Sequence, residues 1–112
     1  MALLALQSMT AAGLAPATVS AAGGGDTVAL ASSTDDRSFL EVINGGGSPI
    51  TVTVADPGAT PAGNPATVTP ISVAASATKL IPLSPNSVNT STGVISITYS
   101  AVTTVTVAAV RR

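Results

Sequence analysis

From Gly93 to Arg112 the chain reads GVISITYSAVTTVTVAAVRR, and apolar and hydroxyl side chains alternate through most of it. Ile95, Ile97 and Tyr99, then Val105, Val107 and Ala109, share one face, while Ser96, Thr98, Ser100, Thr104 and Thr106 share the other. A period of two is the mark of a half-buried strand, and two such runs in succession predict a terminal β-hairpin. The same period recurs in Ile50, Val52 and Val54 against Thr51 and Thr53. In Ser38 to Asn44, by contrast, Phe39, Leu40, Val42 and Ile43 populate both faces, which predicts a central strand covered on each side.

Shorter strand-like runs cover Thr27 to Ala31, Thr67 to Val73 and Thr78 to Leu83, the last two interrupted by Pro70 and Pro82 as expected of edges or bulges. Between the runs lie turn signals: Ser32 to Asp36, Gly45-Gly46-Gly47-Ser48-Pro49, the Asp56-Pro57-Gly58 start of a loop reaching Pro65, and Ser84 to Gly93. For Asp56-Pro57-Gly58 the expectation is a tight turn with proline setting φ and glycine at positive φ. Seven or eight short strands without a convincing helix predict an all-β fold, a single antiparallel β-sandwich or jelly-roll-like barrel.

Residues 1–25 read as a separate apolar, Ala/Gly-rich N-terminal arm, and 26–112 as the sandwich domain. Leu3, Leu4, Leu6 and Met9 have the spacing of a short helix, but Thr10, Gly13, Pro16 and Gly23-Gly24-Gly25 break it, so an extended arm with a strand at Ala17 to Ala21 is preferred. The start imitates a signal peptide but lacks a positive n-region, and its apolar run is interrupted at Gln7 and Ser8.

Composition narrows the function classes. Only 8% of the 112 residues are charged, against about 25% in an average soluble domain, so the surface is built from Ala, Ser, Thr, Gly and Pro. A core of Ala and Val with one Phe and one Tyr is thin, and reinforcement by association is expected. A net charge of -1 with Arg37, Lys79, Arg111 and Arg112 as the only cations argues against nucleic-acid binding. No apolar run reaches membrane-span length. Without cysteine or histidine, thiolate chemistry and the commonest metal ligand and general base are missing.

The remaining chemistry is sparse. Asp35-Asp36 is the one local pair of carboxylates, and Ser32 to Asp36 offers some of the oxygens a calcium ion needs, but turn stabilisation with Arg37 as counter-ion accounts for it better. Neither Gly-Gly-Gly run is followed by the Lys-Ser/Thr or helix of a phosphate loop. The expectation is therefore a non-enzyme with no cofactor and no metal site.

NGGGSPITVTV (Asn44 to Val54) and the terminal GVISITYSAVTTVTVAAVRR resemble a family of small head decoration, or minor capsid, proteins of siphovirus-type tailed bacteriophages. The likeness extends to an Ala/Gly-rich stretch before Asp26-Thr27-Val28 and an ending of Val-Ala-Ala-aliphatic-Arg. It implies a virion structural protein made in the host cytoplasm, bound to the outer surface of the major capsid protein lattice and stabilising the head. A homo-oligomer, with a trimer as first choice, is expected, without nucleic-acid or membrane partners. The candidate docking residues are Leu3, Leu4 and Leu6 of the arm with Arg111 and Arg112 at the other end. A neck or tail component is the alternative within the virion, and a secreted or surface adhesion module the alternative outside it. Neighbouring subunits would then shield the uncharged ribbon, which in isolation would recruit other strands.

Overall fold

The computed structural model describes residues 2–32, 34–58, 61–64 and 68–112. Among these, ten strands form two mixed sheets packed face to face as a β-sandwich: β1 (Ala2–Leu4), β2 (Leu6–Ser8), β3 (Val19–Ser20), β4 (Asp26–Val28), β5 (Ser38–Asn44), β6 (Ile50–Val54), β7 (Ile71–Val73), β8 (Ala77–Pro82), β9 (Ile95–Tyr99) and β10 (Val105–Arg111). A single 3-10 turn, Pro85–Ser87, is capped by Ser84. The first sheet has the order β1-β4-β9-β6-β7, and the second the order β2-β10-β5-β8, with β3 also on β10. All pairs are antiparallel except β1 with β4 and β2 with β10.

The core lies between the sheets, where the inward positions of the alternating strands meet. Val28, Val52, Ile95 and Ile97 of the first sheet pack with Leu40, Val42, Val105 and Val107 of the second, and all of these are buried. Side chains of this size contribute roughly 1.5–3 kcal/mol each when fully buried. Lys79 Nζ reaches from β8 to the Ser72 carbonyl of β7 at 2.9 Å. That hydrogen bond ties the two sheets together along one open side.

The terminal strands differ from the expected hairpin. Ile95–Tyr99 lies in the first sheet between β4 and β6, whereas Val105–Arg111 lies in the second against β5, β2 and β3. The two strands are joined by an arch across the core. Each has an apolar inward face, Ile95 and Ile97 on one and Val105, Val107 and Ala109 on the other, and opposing sheets let these faces bury against each other instead of lying side by side. Thr104, at φ 57°, makes the reversal. Neither strand is an edge, so the fold itself covers the ribbon. The edges are short, three residues each at β1, β2 and β7, or blunted by Lys79 and Pro82 at β8, devices that limit strand recruitment.

The arm is woven into the sandwich. Ala2–Leu4 joins the first sheet, the chain crosses at Ala5, and Leu6–Ser8 joins the second. The Gln7 side-chain amide then holds both the N–H and the carbonyl of Ala17 at 2.9 Å, returning the chain to β3. Gly25, at φ +95°, turns it into β4, and a Cβ there would stand 2.5 Å from the Ile97 carbonyl oxygen. β5 is central within its sheet as expected, but only its inward side is fully covered, since Phe39, Glu41 and Ile43 are half-buried. The β7 strand begins at Ile71, with Pro70 just before it, and the predicted start at Thr67 lies outside the described residues. At Asp56 the side-chain Oδ1 accepts from the Gly58 N–H at 2.8 Å. The turn is thus closed by the aspartate, and Gly58 is not at positive φ.

Candidate functional site

The five residues expected to dock partners do not act alike. Leu4 points into the core and is 5% exposed, and Leu6 is half-buried against it, so both serve packing. Strand alternation sends every second residue of this segment inward, and crossing between sheets keeps Leu4 and Leu6 on the core side. Arg111 Nε lies 3.3 Å from Asp35 Oδ2, an ion pair internal to the chain. Leu3, 65% exposed, and Arg112 remain available at the surface.

Asp35 is buried and fully engaged. Its Oδ2 accepts from the Ser38 hydroxyl at 2.7 Å and the Ala31 N–H at 3.2 Å, and its Oδ1 from the Arg37 N–H at 3.0 Å. The Ser38 hydrogen bond, opposed by burial and aided by the two backbone donors and Arg111, lowers its pKa from 3.8 to about 2. These donors make Asp35 the organiser of its turn. No group of three or more potential metal-ligating side chains occurs among the described residues.

Two buried polar residues were not picked out by sequence reasoning. Asp26, fully buried, accepts from the Tyr99 hydroxyl at 2.9 Å and the Ala22 N–H at 3.2 Å through Oδ2, while its Oδ1 has no donor among the described residues. Burial, then the Asp26 carboxylate, holds the Tyr99 phenol well above its usual range. Asn44 Nδ2 donates to the carbonyls of Ser48, Val73 and Ala74 at 2.9, 3.3 and 3.2 Å, and its Oδ1 accepts from Gly46 N–H at 3.0 Å. It joins the Gly-rich turn to the β7–β8 connection. The available signal was parity: Asp26 and Asn44 fall in register with the inward positions of their strands.

What the molecule presents outward is a contrast between its two sheets. In the first, the outward strand positions are Thr27, Thr51, Thr53, Ser72, Ser96 and Thr98, with Leu3 at the edge beside Thr27. None carries a charge. In the second they include Phe39, Glu41 and Ile43 on β5 and Thr78, Leu80 and Pro82 on β8. Among the described residues the two buried carboxylates, Asp26 and Asp35, serve hydrogen bonds of the fold. The outward faces of the two sheets are the candidate site. No protein-family model, no curated protein and no solved structure matches this chain.

Proposed function

We propose that this chain is a non-enzymatic structural subunit of a tailed-phage virion, a decoration protein on the outer surface of the major capsid lattice that stabilises the head. The observation that carries the reading is the uncharged hydroxyl face of the β1-β4-β9-β6-β7 sheet, bordered by exposed Leu3. Hydroxyls lose less on leaving water than ammonium or carboxylate groups, and protein interfaces are depleted of Lys, Glu and Asp at their centres. An uncharged face of this kind fits against another protein. Support also comes from the resemblance of Asn44 to Val54 and Gly93 to Arg112 to such proteins.

The test is electron microscopy of purified particles together with copy number. Hundreds of copies spread over the head, with the Thr and Ser face toward the capsid protein, are expected. About a dozen copies at the neck, or density confined to the tail, would move the protein to the connector or tail, and absence from the particle would end the virion reading. Thr98→Lys and Thr53→Lys should each abolish binding to empty capsid shells while leaving the fold intact.

A further inference from the structure

The second sheet's outward face has a pattern of its own. Alternation along β5 turns Phe39, Glu41 and Ile43 outward, and the register sets Pro82 beside Phe39 and Leu80 beside Glu41. Leu80 is 57% exposed. Just before the start of β5 the pairing with β10 continues for one more hydrogen bond, with Arg112 N–H donating to the Arg37 carbonyl at 3.1 Å. Both of these exposed arginines fall in register with the outward positions, Arg37 with Phe39 and Glu41. The other two cations are engaged within the fold, Lys79 on the Ser72 carbonyl and Arg111 on Asp35. Glu41 is the one carboxylate at an outward strand position among the described residues.

We propose that this face binds a second copy of the chain in an isologous, two-fold dimer. A half-buried carboxylate set among apolar side chains calls for a cation from a partner, and Arg37, the residue just before β5, stands four residues from Glu41 with Phe39 midway. If two such sheets face each other about 10 Å apart with the two-fold axis crossing the strands at Phe39, Arg37 of each protomer lies over Glu41 of the other. Each ion pair then falls about 6–7 Å from the axis. Running the strands parallel would instead stack Glu41 on Glu41 and Arg37 on Arg37, like charges in a partly desolvated contact. The charge pattern selects the antiparallel arrangement. It also favours two-fold over the three-fold symmetry expected from the sequence, because the matching partners lie on one surface of the same chain.

The contact spans two strands and is roughly 17 Å long, small beside a standard interface, so the dimer is weak in isolation and strengthens where copies are already held close together. This pairing does not rest on the virion reading, which uses the opposite face.

Sedimentation equilibrium tests it on the wild type, Glu41→Arg, Arg37→Glu and an equimolar mixture of the two variants, at up to about 1 mM protein. A reversible dimer is expected for the wild type, with association at least tenfold weaker for each variant alone. The mixture should recover it, since the cation introduced in one variant meets the carboxylate introduced in the other. That recovery also shows that both variants fold. Should either variant fail to fold, Glu41→Gln and Arg37→Gln are each expected to weaken the wild-type dimer. A wild type that stays monomeric, variants that associate as it does, or a mixture no tighter than its components would overturn the proposal. So would a monomer that uses Glu41 only to bind capsid shells.

Discussion

The Tyr99 hydroxyl donates a 2.9 Å hydrogen bond to Asp26 Oδ2, joining β9 to the start of β4 at the end of the sandwich interior. Tyr99 is the sole tyrosine and the chain has no tryptophan, so this one bond reports on the whole fold. Tyr99→Phe leaves the buried carboxylate with the Ala22 N–H alone, and a loss of about 1.5–3 kcal/mol is expected, the range for a hydrogen bond to a charged group. Chemical denaturation of the variant against the wild type measures it.

The same pair predicts alkaline behaviour. The phenol's folded pKa is raised above its unfolded value of 10.0, so the associated stability is fully present below pH 10 and is lost as pH rises beyond it. Tyrosinate absorbance should appear together with loss of strand circular dichroism. A titration near pH 10 with the sheets intact would contradict the burial of this group.

Acid acts through Asp35. Its pKa is lowered from 3.8 to about 2 in the folded state, so its contribution is present above pH 4 and fades as pH falls toward 2, on the order of 2 kcal/mol in all. Asp35→Asn should flatten the acid limb of a stability–pH curve. An unchanged limb would show that Asp35 is not the group responsible.

Asn44 is expected to matter more than its place beside a glycine turn implies. Asn44→Ala strands the carbonyls of Val73 and Ala74 at the β7–β8 connection, and a loss of about 2–4 kcal/mol follows from one to two buried groups left without donors. Thermal unfolding tests this. Ser48 takes part only through its backbone carbonyl, which alanine retains, so Ser48→Ala should give a far smaller change.

Leu3 and Leu4 separate docking from packing. Leu4→Ala empties a core position and should cost about 2–4 kcal/mol, while Leu3→Ala, 65% exposed, should leave stability within about 0.5 kcal/mol. Equal losses in denaturant melts would show that Leu3 is packed after all. If Leu3 borders the docking face, its alanine variant weakens binding to capsid shells without shifting the melt.

Alternation alone made most of the inward and outward assignments readable. Ser38–Asn44, Ile50–Val54 and Ile95–Tyr99 begin and end where their patterns do, because a residue's side of a strand is fixed by its backbone and needs no partner. Hydroxyl spacing likewise marked the outer face of the first sheet. Leu4, Leu6 and Arg111 are more engaged within the fold than their places near the two ends of the sequence suggest, and for a common reason. Exposure depends on what lies opposite, and here the arm's crossing between sheets and the Asp35 carboxylate lie opposite.

The sequence by itself determined the β class, the two-faced strands, the scarcity of charge and the turns set by glycine, proline and aspartate, all of which follow from local stereochemistry and composition. Only the tertiary structure decided which strands pair. A hairpin and an arch bury the same alternating side chains, and the choice between them comes from long-range packing of β9 and β10 across one core. The same packing brought Asp26 to Tyr99, spanned the β5–β6 and β7–β8 turns with Asn44, and set Arg37, Phe39 and Glu41 in a line on one open face.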